Sequence, residues 1–234
     1  VIGGIRPRAD LTEPLKKTII SRLDEFEKKY MNYVERILAD PMIMSRITGV
    51  GLMTKEEAIR WYATGPTGRA SGWDFDLRKD QKEYKPFDFN YIILDGCDNK
   101  ARVVTRALEV IESMKIIRQV VKSIPSGPII NNDWCAGKMD YTTAFIEAPR
   151  GELMHSYALD ERGLIRNYKI RTPSITNLAA MEHVCVGDHV TDAILTIASC
   201  DPCLTCTTRA EVVESGRGRL MTELEVVKKY GWRR

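Results

Sequence analysis

Cys200, Cys203 and Cys206 stand three residues apart in the run Cys-Asp-Pro-Cys-Leu-Thr-Cys. At that spacing two thiolates reach a single metal from one turn of backbone. A zinc site needs two more ligands, which Cys185 and His189 offer at a spacing that fits no common finger pattern. An iron–sulfur reading also stands, because a Cys-x2-Cys-x2-Cys run opens the bacterial ferredoxin motif, although the fourth cysteine with its proline is missing. Simple packing of thiols is disfavoured by Asp201 and Pro202 inside the run. Cys97, Cys135 and Cys185 are isolated, and six cysteines in 234 residues are too few for a disulfide scaffold, so a reducing compartment and a metal are expected. His155, His183 and His189 share no ligand spacing and read as ordinary residues. Arg69, Asp74, Asp76 and Arg78 form a dense charged loop that reads evenly as solvated surface or as part of a subunit interface.

The elements that must hold these groups follow from periodicity. Leu15, Ile19, Leu23, Phe26, Tyr30, Val34 and Ile37 recur every three or four residues, with Thr12 as cap, Pro14 in the first turn and Asp40-Pro41 as the stop. That pattern predicts a long amphipathic helix. Thr54 and Glu57 form a capping box for a shorter helix ending near Tyr62, and Gly65, Pro66, Gly68 and Gly72 predict a loop. A second long helix is expected from about Lys100 to Lys122, closed by Pro125-Ser126-Gly127-Pro128. Leu153 to Leu159 and Leu164 to Ile170 alternate about Asp160-Glu161-Arg162-Gly163 and predict a hairpin. Asp188 to Ser199 reads as a helix that delivers the chain to the cysteine cluster. The expected fold class is α+β, mainly helical, with long core helices and small antiparallel β elements.

With 44% hydrophobic and 29% charged residues the chain is a folded protein able to bury one sizeable core. A net charge of only +3 gives no footprint for nucleic acid, and no apolar run is long enough to cross a bilayer. The opening at Val1, in a Gly-Gly turn, reads as the continuation of something longer. Residues 210–234 carry six basic and four acidic side chains with few core-like positions, and read as a separate extension after a unit spanning 1–209.

Asp-Pro-Cys-Leu-Thr-Cys-Thr-Thr-Arg at 201–209 resembles the C-terminal signature of the large subunit of [NiFe] hydrogenases, in the Arg-ending variant of the membrane-associated, energy-converting branch. Segments 65–80, 147–153 (Glu-Ala-Pro-Arg-Gly-Glu-Leu) and 171–178 (Arg-Thr-Pro-Ser-Ile-Thr-Asn-Leu) resemble that family in the same order. The framework also resembles the quinone-site subunit of respiratory complex I, whose C-terminal motif lacks the cysteines.

The hydrogenase resemblance implies a large-subunit fold and a nickel–iron centre whose iron carries cyanide and carbon monoxide. Cys203 would be a terminal nickel ligand and Cys206 a bridge to iron. Arg150 would stand over the open coordination position, oriented by Asp201; Pro149 and Pro173 would shape the pocket, and Ser174, with Thr172 alongside, would donate to a cyanide. The other two thiolates belong to a Cys-x2-Cys that this chain lacks, so the N-terminal half of the large subunit is expected as a separate or absent polypeptide, and this chain alone should not bind the metals. Further implied partners are an iron–sulfur small subunit, membrane subunits and a maturation protease cutting between Arg209 and Ala210, with the complex peripheral on the cytoplasmic side of the membrane. The expected activity is reversible heterolytic cleavage of hydrogen coupled to a low-potential carrier. The rival expectation is a complex I-like electron-transfer and coupling subunit that evolves no hydrogen.

Overall fold

The computed structural model describes residues 11–125, 127, 137–203, 210–214 and 217–221. Helix α1 spans Glu13–Ala39; the Thr12 hydroxyl accepts the Leu15 N–H, and Pro14 occupies the first turn, where its missing N–H leaves nothing unpaired. Asp40 ends α1 and starts α2 (Pro41–Ile47), its carboxylate accepting the N–H groups of Met42 and Ile43. The expected box closes on itself at α3 (Lys55–Arg60): Thr54 Oγ accepts from the Glu57 N–H, and the Glu57 carboxylate accepts from the Thr54 N–H.

The second long helix, here α5, covers Asn99–Ser123 and is capped by Asp98. It is the spine of the fold, touched by α1, α2, α7 (Val190–Ser199, capped by His189) and α4 (Pro66–Arg69). Along α1 the joint is polar as well as apolar: Tyr30 donates to the Ala107 carbonyl at 3.1 Å, and Arg118 reaches Asp24 and Glu27 at 2.9 and 2.6 Å.

The expected hairpin forms from β2 (Gly151–Leu159) and β3 (Ile165–Arg171), its turn held by Asp160, which accepts the N–H groups of Arg162 and Leu164. A further strand, β1 (Met139–Ala148), which periodicity did not announce, pairs antiparallel with β2 so that Ala148 faces Gly151 and Glu147 faces Glu152. The sheet order is β1-β2-β3. Helix α6 (Pro173–Val184) follows; with α3 and the 53–73 segment it encloses a small core of Met53, Ala58, Ala63, Ala180 and Val184 under Trp61 and Trp73. Further along, β4 (Ala210–Glu214) pairs with β5 (Arg217–Met221). The architecture is thus mixed helix and sheet, and no helix among the described residues is long and apolar enough to cross a membrane.

One expectation is corrected, and one of two even alternatives is ruled out. The glycine-rich stretch after residue 64 is no exposed loop: it contains α4, and Ala63 to Ser71 are all buried. Its glycines serve close packing, since a Cβ on Gly68 would lie 2.0 Å from the Ala63 carbonyl oxygen. The charged stretch is likewise buried and not solvated, with Arg69 at 1%, Asp76 at 4% and Arg78 at 7% exposure. Opposite charges at contact distance make that burial tolerable. Asp74 alone of the four is exposed, and it pairs with Lys79.

Candidate functional site

Four short segments, distant in sequence, meet beside α5. The backbones of Gly65 and Gly151 touch: a Cβ on Gly65 would lie 2.5 Å from the Gly151 Cα, and both residues have positive φ, 71° and 122°. Asn177 on α6 ties the same two segments, donating from Nδ2 to the carbonyls of Arg150 at 3.0 Å and Thr64 at 3.3 Å. One turn earlier, the buried Ser174 hydroxyl accepts the Cys203 N–H at 3.4 Å. Arg150, on the turn between β1 and β2, donates from Nε to the Asp201 carbonyl at 2.5 Å and from Nη2 to its carboxylate at 3.1 Å.

Asp201 is presented this way by the end of α7. Cys200 caps the helix, the Asp201 N–H bonds the Ala198 carbonyl, and Asp201 turns into the left-handed region at φ 54°, which aspartate tolerates better than most residues. The helix end is itself anchored from below. Arg102, fully buried, donates from Nε to Ser199 Oγ at 2.8 Å and from Nη2 to the Gly51 carbonyl and Asn99 Oδ1, both at 2.5 Å.

Behind the Gly65–Gly151 contact lies the buried ionic cluster. The Arg69 guanidinium reaches Glu147 at 2.7 Å, Glu109 at 2.7 Å and Asp76 at 3.4 Å, while Arg78 closes on Asp76 at 2.5 Å. Burial pushes the Glu147 carboxyl above the usual glutamate range, against the pull of Arg69. For Asp76 burial acts in the same upward sense, but the Arg78 hydrogen bond and the charges of Arg69 and Arg78 outweigh it and hold the carboxyl below its ordinary value.

Between α4, α5 and the β1–β2 turn the cluster opens on a cavity of about 370 Å³. Apolar walls from Val110, Ile116 and Ile117 meet a polar end formed by Arg78, Arg106, Glu109, Glu147 and Asp201. Arg106 donates to Thr67 Oγ at 3.0 Å, while its buried Nε and Nη1 have no acceptor among the described residues. Burial lowers the affinity of that guanidinium for its proton, offset in part by Cys200, Asp201 and Glu109. Size and lining suit a small, largely apolar molecule that carries a hydrogen-bond acceptor.

Of the residues singled out by sequence, the structure brings together Arg150, Asp201, Ser174 and Cys203. Pro149 lines the cavity, and buried Pro173 starts α6 behind Thr172, whose side chain makes no capping bond. Cys206 and Arg209 lie outside the described residues, and Ala210 opens β4. The two carboxylates flanking Arg150 are structural: Glu147 serves Arg69, and Glu152 serves Arg171. Sequence reasoning passed over Asn177 and Arg106. Arg106 had a readable signal, a charge on the face that Val103 and Val110 share at helical spacing.

Of the two thiolates expected on a nickel–iron centre, Cys206 lies outside the described residues and Cys203 stands beside Ser174. Among the described residues no three His, Cys, Asp or Glu side chains group so as to hold a metal. Cys185 and His189, the candidate zinc ligands, are used otherwise: the Cys185 thiol, pushed up to about 11 by burial, donates to the Ala193 carbonyl, and His189 accepts the Thr191 N–H to cap α7. The Ser174 hydroxyl, expected on a cyanide, meets the Cys203 N–H.

Comparison with known proteins identifies the family. The family model described as the respiratory-chain NADH dehydrogenase 49 kDa subunit matches residues 1–142 and 136–209. The chain is 31% identical over 216 residues to a subunit of the NADH-quinone oxidoreductase of Clostridium beijerinckii and 34% identical over 212 residues to the equivalent NADH-quinone oxidoreductase subunit of Desulfitobacterium hafniense, covering 87% of this chain and 55% of each relative. It is 32% identical over 215 residues to a subunit of the F(420)H(2) dehydrogenase of Methanosarcina mazei, covering 86% of this chain and 56% of that one. The chain thus spans about half the length of the curated relatives it matches. The expectation of a catalytic hydrogenase large subunit, drawn from the cysteine signature, is corrected by these matches, which favour the rival reading. The chain belongs to the family of the respiratory-chain NADH dehydrogenase 49 kDa subunit.

Proposed function

We propose that this chain is part of an electron-transfer and coupling subunit of the complex I kind, working within a membrane-associated, multi-subunit oxidoreductase. The observation that carries the reading is the family match over 1–209, which includes all four segments that converge on the Arg150–Asp201 bond. The electron donors named in the relatives differ, NADH in some and F(420)H(2) in another, while the subunit is shared. A shared subunit serves a shared step. That step lies on the acceptor side, and a quinone is the acceptor proposed.

In this reading the cavity beside Arg150 and Asp201 is the chain's contribution to the acceptor site. Its apolar walls take a hydrocarbon body, and the guanidinium groups of Arg78 and Arg106 in its lining offer donors to a carbonyl oxygen. The Arg69–Glu147–Asp76 cluster, one layer behind, connects the polar end of the cavity to the interior of the fold. The test is isolation of the native assembly through a tag on this chain. The reading expects quinone-dependent oxidation of a reduced donor by an assembly containing several other subunits. Hydrogen evolution without quinone reduction, or recovery of the chain with no partner subunit, would overturn it.

A further inference from the structure

Three guanidiniums at or behind the polar end of the cavity have a carboxylate at contact distance. Arg78 holds Asp76, Arg150 holds Asp201, and Arg69 holds both Glu147 and Glu109, at distances between 2.5 and 3.1 Å. Arg106 is the exception. Its hydrogen bond runs from Nη2 to the hydroxyl of Thr67 on α4, a neutral acceptor, and no carboxylate among the described residues forms an ion pair with it. The charged groups that face it are engaged elsewhere: Glu109 on its own helix with Arg69, and Asp201 beyond α7 with Arg150. Arg102, one turn earlier on α5, repels it, and the remaining neighbour is the thiol of Cys200.

Buried charges in folded proteins are normally paired, because an isolated one gives up the solvation of water for nothing. Arg106 keeps its charge at neutral pH all the same, since guanidinium is too basic to release its proton there. The unmatched charge lies in the lining of the cavity beside Val110, Ile116 and Ile117, apolar walls that exclude water and leave its field weakly screened. A fixed positive charge in such a place acts most strongly on negative charge that develops inside the cavity, because it needs no reorganisation when that charge appears.

We infer that Arg106 is the counter-charge for an anion formed in the cavity, so that the site favours acceptors whose oxygen becomes negative when they take up an electron. The guanidinium acts through space and needs no hydrogen bond to the occupant. In the step that it assists, an electron arrives from the donor side of the assembly, no bond breaks, and the added charge rests on the acceptor's oxygen until a proton from solvent neutralises it. Arg78 cannot take this part, because its charge is already matched by Asp76 through two hydrogen bonds. The inference rests on the acceptor reading of the cavity and deepens it, from an occupant with a carbonyl to one that is held as an anion.

The experiment measures equilibrium binding of two probes to the isolated native assembly by titration calorimetry. One is a fully substituted benzoquinone with a methoxy group, which is neutral and offers no ring position to a thiol; the other carries a hydroxyl in place of that methoxy group and is ionised at neutral pH. The parent assembly should bind the ionised probe about tenfold more tightly or better. Arg106→Met should abolish that preference while binding of the neutral probe changes less than about threefold, and Arg106→Lys, which keeps the charge, should retain much of it. A second readout separates this role from a structural one: removing an unmatched buried charge should leave the Tm of the Met variant unchanged or raised. Equal binding of the two probes by the parent, an undiminished preference in the Met variant, or a Tm lowered as far as that of Arg69→Met would each overturn the inference. Binding of neither probe by the parent would instead overturn the acceptor reading of the cavity, and this inference with it.

Discussion

Gly65 and Gly151 meet backbone against backbone, and that contact sets where Arg150 stands. A Cβ on Gly151 would lie 2.5 Å from Thr64 Oγ and 2.7 Å from the Gly65 nitrogen, and the residue's φ of 122° excludes ordinary side chains independently of space. The neighbouring Arg150 is thereby carried over the end of α7, within reach of both the carbonyl and the carboxylate of Asp201.

Substituting either glycine should separate the segments. Gly65→Ala or Gly151→Ala is expected to cost at least about 2 kcal/mol from backbone strain and overpacking together. Urea unfolding of the chain measures the loss. A variant as stable as the parent would show that the two backbones are not in contact.

The Arg150–Asp201 bond predicts a different pattern. Both side chains are about a third or more exposed, so the ion pair itself is worth less than about 1 kcal/mol, and the bond to the Asp201 carbonyl survives loss of the carboxylate charge. Asp201→Asn should therefore shift Tm by no more than about 4 °C. Arg150→Lys removes the planar two-point geometry, and on the proposed function it should lower quinone reduction in the assembly while Tm changes as little.

Arg69 is the opposite case. Its side chain, 1% exposed, is the shared counter-charge of Glu109, Glu147 and Asp76, so Arg69→Met leaves buried carboxylates facing one another. The expected destabilisation is about 3–5 kcal/mol, read from denaturant midpoints. Ser199→Ala, which takes one acceptor from the buried Arg102, should cost less, about 1.5–3 kcal/mol.

The same cluster sets a pH dependence. Burial raises the Glu147 carboxyl, so between the ordinary glutamate value and the raised one the folded chain holds a proton that the unfolded chain has released. Stability contributed by Glu147 therefore falls as pH rises through that window. Asp76 acts with the opposite sign: its carboxyl is held low, so its contribution is present above the ordinary aspartate value and disappears as pH falls through the depressed one. Glu147→Gln should abolish the first slope and retain the second, as measured by unfolding free energy across a pH series.

Much of the scaffold was readable because it is local. The stripes of α1 and α5, the Thr54–Glu57 box, the Asp160 turn and the run into α7 each depend on residues a few positions apart, and each stands where its pattern placed it. What periodicity could not show depends on contacts between distant segments. Gly65 and Gly68 have the composition of a loop, yet they are glycines because another backbone lies against them. Arg69 and Asp76 look like surface charges until Glu109 and Glu147, 40 and 78 residues beyond Arg69, are brought to the same arginine. The four motifs that meet around Arg150 were all visible beforehand. Their chemistry was misread because Cys203 and Cys206 at metal-ligand spacing outweighed the missing thiolates, and the family match reversed that judgement.

The most direct test of the complex I-type reading is the electron acceptor of the native assembly. Isolated intact through this chain and supplied with a reduced donor, the assembly should reduce a soluble quinone analogue, and Arg150→Lys should slow that reaction without loss of subunits. Donor-driven hydrogen evolution with the quinone left oxidised would contradict the account.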